Sequence, residues 1–535
     1  MEKQREDREN TKKNGKGSDG ILFVSIVILI AAFVCQRIIK DYFDNDFFHI
    51  ATSGRWILKH GIMRENVFFV KEGYATIIQQ WLYAVLLYLS WQTGSYGGVL
   101  LFTVLQAVLL GVIAIAYQRI RGLDRRVALI GVLLFVLSVT DLNCRPEIAS
   151  LCLFTAQLCC MERYRKNGKA GILYVLPVLM IVEINLHAAY AMFHFVLLLP
   201  YLVPVHRMPM ARELAEQCMI RTEEPERKDF VLPVLLMGAV MFCNPYGVDA
   251  VTILLKSGNI RLLNISELRP VTIKEDSFAL PVIGVLLLAP ALYRKKLREA
   301  TVLMFAGCLL LGLIALKNML FFSLVLLMLW GDLFTELDCG RFWEWIAKVK
   351  REYARAAFGG ALVLSMALVL YHTAVRITVE GGMLRVSNGL LPNLSDQEIY
   401  PAEAIRYLLE HESNPEKLRV MTAFNNGSSF LWNGIGHVYI EPKTEPYLRA
   451  VNGQSDIVSE YTLICTDASS AEIADFLARY DFDYICCSYY MQGLQVYLEQ
   501  TDAYECVLAS PTLERSVEKE TGVARPVYCL YRRMP

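Results

Sequence analysis

From residue 21 to residue 375 the chain repeats one pattern, an apolar run followed by a short polar turn. Most of these runs approach the roughly 20 residues that a helix needs to cross a bilayer. Lys and Arg cluster in five turns, at Arg119–Arg126, Arg163–Lys169, Arg207–Lys228, Arg294–Arg298 and Arg341–Arg355. Short basic loops stay cytoplasmic. Placing all five inside predicts spans near 21–39, 96–117, 127–142, 146–162, 171–186, 189–205, 230–243, 278–293, 301–316, 318–335 and 357–375. The reading is a mainly α, polytopic bundle of about 11 spans. Residues 1–20 form a cytoplasmic tail, and the first span is too long for a signal-peptide core. The segment Trp81–Trp91 breaks the alternation if it crosses, so it is expected to lie at the outer surface as an amphipathic or half-inserted helix. Residues 40–95 then form a large first outer loop and residues 244–277 a second, within a transmembrane unit of residues 21–376.

Beyond the last span the periodicity changes. A linker over 377–399 leads into residues 400–535, where helix and strand periods alternate. Pro401–His411 and Ala471–Tyr480 read as helices; Leu418–Ala423, Tyr484–Cys487 and Tyr528–Tyr531 read as strands. This predicts an extracytoplasmic α/β domain of about 140 residues. It has no phosphate-loop glycine pattern and no nucleophile elbow. Asn425-Asn426-Gly427-Ser428 reads as a plain turn before it reads as a phosphate contact.

Composition agrees with a membrane protein: 55% of the 535 residues are hydrophobic and 20% charged, the formal net charge is zero, and mean hydropathy is +0.36. No basic stripe with interleaved aromatics points to nucleic acid. The 14 cysteines lie mostly in apolar runs with no metal-ligand spacing. Adjacent Cys486 and Cys487 are expected as buried thiols.

The chemistry-bearing stretch is Asp41–Trp56, DYFDNDFFHIATSGRW, directly after the first span. It packs Asp41, Asp44, Asp46, His49 and Arg55 between aromatics. The other predicted outer turns carry Arg145-Pro146, Asn185-Leu186-His187, Asn244-Pro245-Tyr246-Gly247, Ser266-Glu267-Leu268-Arg269 and Lys317-Asn318. Ionisable residues at membrane depth are costly and usually face a cavity or a partner. Taken singly, each reads as a helix cap or a snorkelling side chain. Collected on one face beside the carboxylates, they read as a site. Asp44 and Asp46 could also N-cap the helix that begins at Phe47. Phe47, Phe48, Trp56 and Trp81 suit an interfacial belt first and sugar stacking second.

Asp44-Asn45-Asp46-Phe47-Phe48-His49-Ile50, followed by Gly54-Arg55-Trp56-Ile57-Leu58 and His60-Gly61-Ile62, resembles the first-loop signature of bacterial GT-C-type membrane glycosyltransferases. The superfamily includes protein mannosyltransferases and aminoarabinose transferases. Gln80-Trp81-Leu82, Arg145-Pro146, Asn185-Leu186-His187, Asn244 to Gly247 and Ser266-Glu267 follow in the family's order. Gly427–Trp432 and Val438–Tyr447 resemble its extracytoplasmic domain. Departures are Gln80 for an acidic residue, Glu183-Ile184 for a tryptophan, and Lys317 for an arginine.

The resemblance implies transfer of a sugar from a polyprenyl-phosphate carrier, within the cell membrane, to an extracytoplasmic glycan, lipid or protein. Asp46, Asp44 and His49 would carry the chemistry, with one aspartate as general base for the acceptor hydroxyl. Two carboxylates so close favour one protonated partner or a bound divalent cation, Mg or Mn. Arg145, Lys317 and Arg269 would hold the donor phosphate. Arg55, Gln80, Asn185, His187, Asn244 and Glu267 would line the substrate site. The other classes open to such a chain are a non-catalytic scaffold and a flippase or transporter of lipid-linked glycans.

Overall fold

The computed structural model describes residues 2–203, 205–222, 226–256, 266–274, 276–374, 376–380, 383–387, 400–517 and 524–535. Helices occupy every apolar run read from the sequence. In order they are α1 (Glu2–Asp41), α2 (Asp46–His60), α3 (Trp81–Ile120), α4 (Arg125–Ser138), α5 (Glu147–Asn167), α6 (Val175–Leu186), α7 (Phe193–Leu202), α8 (Pro209–Gln217), α9 (Lys228–Val240), α10 (Val248–Lys256), α11 (Ala279–Tyr293), α12 (Glu299–Ile314), α13 (Phe322–Phe334), α14 (Gly340–Ala347) and α15 (Arg351–Ala374). Among the described residues, five helical segments are long and apolar enough to cross a membrane by length and composition, and several others are apolar but shorter. Their ends follow local chemistry. Asp124 caps α4 by accepting from the Arg126 and Val127 backbone N–H groups, and Gly168, in the left-handed region at φ 63°, closes α5.

The segment expected at the outer surface is the first half of α3. Gly94 and Ser95 leave helical geometry, with Ser95 at φ 51°, so Trp81–Gly94 is set off from the apolar rod that follows it. The first half packs on α2 at a very close crossing. A Cβ on Gly54 would stand 2.0 Å from the Ala84 carbonyl oxygen, so only glycine fits there.

A hairpin of β1 (Arg376–Glu380) and β2 (Met383–Ser387) lies within the predicted linker; positions 388–399 fall outside the described residues. The C-terminal unit starts with α16 (Ala402–His411) and contains β3 (Arg419–Thr422), α17 (Gly427–Trp432), β4 (His437–Val438), α18 (Arg449–Asn452), α19 (Ile457–Thr466), α20 (Ser470–Tyr480), β5 (Tyr484–Ser488), α21 (Gln492–Gln500), β6 (Tyr504–Ala509), a small β7–β8 pair (Thr512–Val517, Ala524–Pro526) and β9 (Tyr528–Arg533). The main sheet has the order β4-β3-β5-β9-β6, parallel on one side and antiparallel around β9. Both its faces are covered. Along β5, Tyr484 and Cys486 enter one core while Ile485 and Cys487 enter the other. This period-2 alternation sends the adjacent cysteines to opposite faces, and both are free thiols.

The loop between α2 and α3, read from the sequence as part of the first outer loop, is built into this domain. Phe69 bridges to Val438 at the sheet edge, the Val438 N–H donates to the Phe68 carbonyl at 2.8 Å, and Phe69 joins the domain's core. In return Trp432 inserts among Phe47, Tyr88 and Trp91 of the bundle. Phe47 and Phe48 are 0% and 1% exposed, and Phe48 stacks on Tyr400 at 5.5 Å. The expectation that they form a membrane-interface belt is therefore corrected: they are buried against the C-terminal domain.

Candidate functional site: a carboxylate cluster beneath the C-terminal domain

α1 ends at Asp41 and α2 begins at Asp46, so Asp44 sits in the turn between them. Arg145, from the turn between α4 and α5, reaches into this corner. Its Nε donates to Asp44 Oδ2 at 2.5 Å and stands 3.0 Å from Asp46 Oδ2. Its Nη1 donates to Glu267 Oε1 at 2.8 Å, from the segment between α10 and α11. Three loops thus converge on one guanidinium.

The two aspartates differ in engagement. Asp44 also accepts from Asn143 Nδ2 at 2.8 Å and from the Asp46 backbone N–H at 3.1 Å, with the Cys144 thiol at 3.9 Å. Asn45 holds the cap position of α2 without a side-chain cap bond. Asp44 therefore organises the helix start, and Asp46 caps nothing. Among the described residues, Asp46 has only the Arg145 ion pair, the His49 Nδ1 one turn on lying at 3.8 Å. Burial raises both aspartates above the usual carboxylate range, against the lowering effect of Arg145. His49 is 7% exposed. Burial, and then the Lys443 cation, push its pKa down to about 3, so it is a neutral imidazole. Its Nδ1 is buried without a hydrogen-bond partner.

The C-terminal domain closes over this corner. Asn45 Nδ2 donates to the Asn425 carbonyl at 2.9 Å. Gln79 Nε2 donates to Glu445 Oε1 at 3.0 Å. The segment Glu441-Pro442-Lys443-Thr444-Glu445 brings three charges under the domain. Glu441 accepts from Ser428 Oγ at 3.0 Å, and burial lifts its pKa to about 7. Lys443 is 6% exposed, and burial lowers its pKa to about 8, with Glu445 and Glu441 opposing. A Cβ on Gly427 would meet the Ile440 carbonyl oxygen at 2.0 Å, so glycine lets α17 lie against this segment. Asn425–Ser428 is thus the turn into α17, and Ser428 faces Glu441.

Other expected site residues have architectural partners. Arg55 donates to the Trp432 and Leu431 carbonyls at 3.0 and 2.9 Å and lies over the Trp432 ring, which satisfies the end of α17. Asn185 accepts from Trp81 Nε1 and donates to the Ile181 and Cys243 carbonyls. Asn244 bonds the Met241 and Gly247 carbonyls and the Tyr246 N–H within its own turn. The backbone of Gln80 opens α3, and the side chain that reaches the C-terminal domain belongs to its neighbour Gln79. His187 contacts Ser150 Oγ at 3.0 Å, which donates to Glu183 Oε1 at 2.6 Å. Glu183, where the family has tryptophan, is therefore part of a buried polar chain. Lys317 is exposed near His187. The Leu316 N–H donates to the Arg269 carbonyl at 2.8 Å, which joins the loops of the two remaining phosphate candidates.

The donor set does not suit the expected divalent cation as it stands. No group of three His, Cys, Asp or Glu side chains is arranged to hold a metal ion among the described residues. Between Asp44 and Asp46 the positive charge is the Arg145 guanidinium.

Sequence reasoning missed Asn143, Gln79, Glu441, Lys443 and Glu445. The first two sit one or two positions from residues it chose. The others carried a legible signal, since charges at alternate positions follow the apolar run Val438-Tyr439-Ile440.

No protein-family model matches the chain, and no curated protein matches it in sequence. Among solved structures it is similar to the archaeal oligosaccharyltransferase AglB from Archaeoglobus fulgidus, determined in complex with an inhibitory peptide and a dolichol-phosphate. The TM-score is 0.53 at 10% identity, over 95% of this chain and 74% of that one. At that identity the likeness is one of fold. The chain is a membrane protein whose fold is similar to that of an oligosaccharyltransferase.

Proposed function

We propose that the protein is a membrane glycosyltransferase. It moves a sugar from a polyprenyl-phosphate carrier to an extracytoplasmic glycan, lipid or protein, with Asp46 as general base. The observation that carries this reading is the unequal engagement of the two aspartates: Asp44 is committed to four donors, while Asp46 keeps acceptor capacity and a pKa raised by burial. The fold likeness to a protein solved with a dolichol-phosphate supports a lipid-linked donor.

In this reading the acceptor hydroxyl oxygen attacks the sugar C1 as the C1–O bond to phosphate breaks. Its proton passes to Asp46, and the carrier leaves as polyprenyl phosphate. A carboxylate raised toward the working pH makes a better base than an ordinary one. Arg145 and Asp44 position Asp46, and neutral His49 lies one turn along α2 with its Nδ1 3.8 Å away. Lys317 and Arg269 stand for the phosphate, because the Arg145 guanidinium is already shared among three carboxylates.

Mass spectrometry of envelope glycans and lipid-linked sugars, with and without the protein, tests this. Loss of one glycan with build-up of one lipid-linked sugar is expected. An unchanged profile would contradict it.

A further inference from the structure

The opposite ends of α3, α4 and α5 carry a second polar centre, far along the helices from Asp46. There Arg298 donates to Asp332 at 3.0 Å and to Glu162 at 2.7 Å, and Arg121 pairs with the same Asp332. Arg221 is bridged by its backbone to Arg298. A cavity of about 330 Å³ opens among these groups. Its lining holds six cations (Arg121, Arg165, Lys166, Arg221, Lys296 and Arg298) against Glu162 and Glu336. Counting Asp332 behind them, three positive charges remain in excess. Arg121 Nε is buried there without a hydrogen-bond partner among the described residues.

A second chamber of about 420 Å³ adjoins the first and shares Arg165, Arg221 and Arg298 with it. The remainder of its lining is largely apolar, including Met161, Pro200 and Phe230. It also contains the Tyr201 hydroxyl, buried without a hydrogen-bond partner among the described residues. Its own carboxylates are engaged elsewhere, Glu299 with His206 and Glu226 with Lys228.

We infer that this pair of chambers binds one anionic phospholipid at the bundle end that the basic loops assign to the cytoplasmic leaflet. The phosphate lies in the cationic chamber and the glycerol and upper acyl chains in the apolar one. A free phosphate ion would use only the first chamber. A phospholipid uses both, and basic pockets between helices at that leaflet are suited to anionic headgroups. The site does not depend on the transfer reaction.

The test is native mass spectrometry of the full chain in detergent with added phosphatidylglycerol, phosphatidylcholine or inorganic phosphate. Phosphatidylglycerol should be retained well above phosphatidylcholine, and millimolar phosphate should not displace it. Lys166→Gln with Arg221→Gln should weaken retention roughly 25-fold, about fivefold for each cation near an anionic lipid, at an unchanged melting temperature. If the double variant is unstable, Lys166→Gln alone, at an exposed position, should give about a fivefold loss. Equal retention of the two lipids, unchanged retention in the variants, or displacement by phosphate alone would overturn the inference.

Discussion

Arg145 Nε stands 3.0 Å from Asp46 Oδ2 while it donates to Asp44 Oδ2 at 2.5 Å, and Nη1 of the same side chain holds Glu267 at 2.8 Å. One cation therefore neutralises carboxylates from the start of α2 and from the segment between α10 and α11. Arg145→Gln would leave three carboxylates facing one another in a half-buried corner. The expected cost is about 1–3 kcal/mol, the range for leaving a charged acceptor without its donor. It should appear as a lowered melting temperature together with lost activity. Arg145→Lys keeps the charge without the planar fork and should recover only part of both.

Asp44 is the structural member of the pair. Asp44→Asn turns an acceptor toward Arg145 and Asn143 into a partial donor, and about 1–3 kcal/mol of stability should be lost. Thermal melts of Asp44→Asn and Asp46→Asn in one detergent check this. Asp44→Asn should melt lower, and Asp46→Asn close to wild type.

The buried charges of the C-terminal domain make stability depend on pH in two windows. Glu441 has a folded pKa raised from 4.5 to about 7. Its contribution is fullest below pH 4.5 and is lost as pH rises through 7. Lys443 has a folded pKa lowered from 10.5 to about 8. Its contribution is present above 10.5 and lost as pH falls through 8. Glu441→Gln should flatten the acidic window and leave the alkaline one, as read by melting temperature across pH.

Docking of the C-terminal domain rests on Trp432 and Arg55. Trp432→Ala removes an aromatic wedged between Phe47 and Trp91, at an expected cost of about 3–5 kcal/mol. Hydrogen exchange should accelerate in α17 at residues 427–432 and, as the domain loosens, at Phe68, Phe69 and Val438, where the loop and the sheet edge share backbone pairing. Exchange confined to α17 would mean that the sheet-edge pairing holds without the tryptophan.

The bundle was legible because apolar runs and basic turns are local signals, and each run became a helix within a few residues of its predicted bounds. α1 is the exception, since its helix starts at Glu2, in the stretch read as a tail. The strands at 419–422, 484–488 and 528–533 were legible from apolar β-rich runs. The two-residue β4 was not, because its pairing partners are remote: Arg419 and Val420 on one side and Phe69 on the other. The carboxylate cluster could be named residue by residue, but its wiring could not. Nothing local says that Arg145 belongs to Asp44 and Asp46, or that Arg55 and Asn244 serve the frame. Lys443 was overlooked for the same reason: it meets His49 only once the chain has folded back over nearly 400 positions.

The most direct test of the account is sugar transfer by purified, folded Asp46→Asn protein, with Asp46→Glu as a partial-rescue control. Asn preserves the shape of the side chain and, since Asp46 caps nothing, the start of α2. The account predicts that transfer falls by roughly two to four orders of magnitude, the scale of general-base catalysis, with melting unchanged. Wild-type activity should also decline as pH falls through the raised pKa of Asp46, because only the ionised carboxylate accepts the proton. Turnover near the wild-type rate in Asp46→Asn would contradict the account and move the chemistry away from this residue.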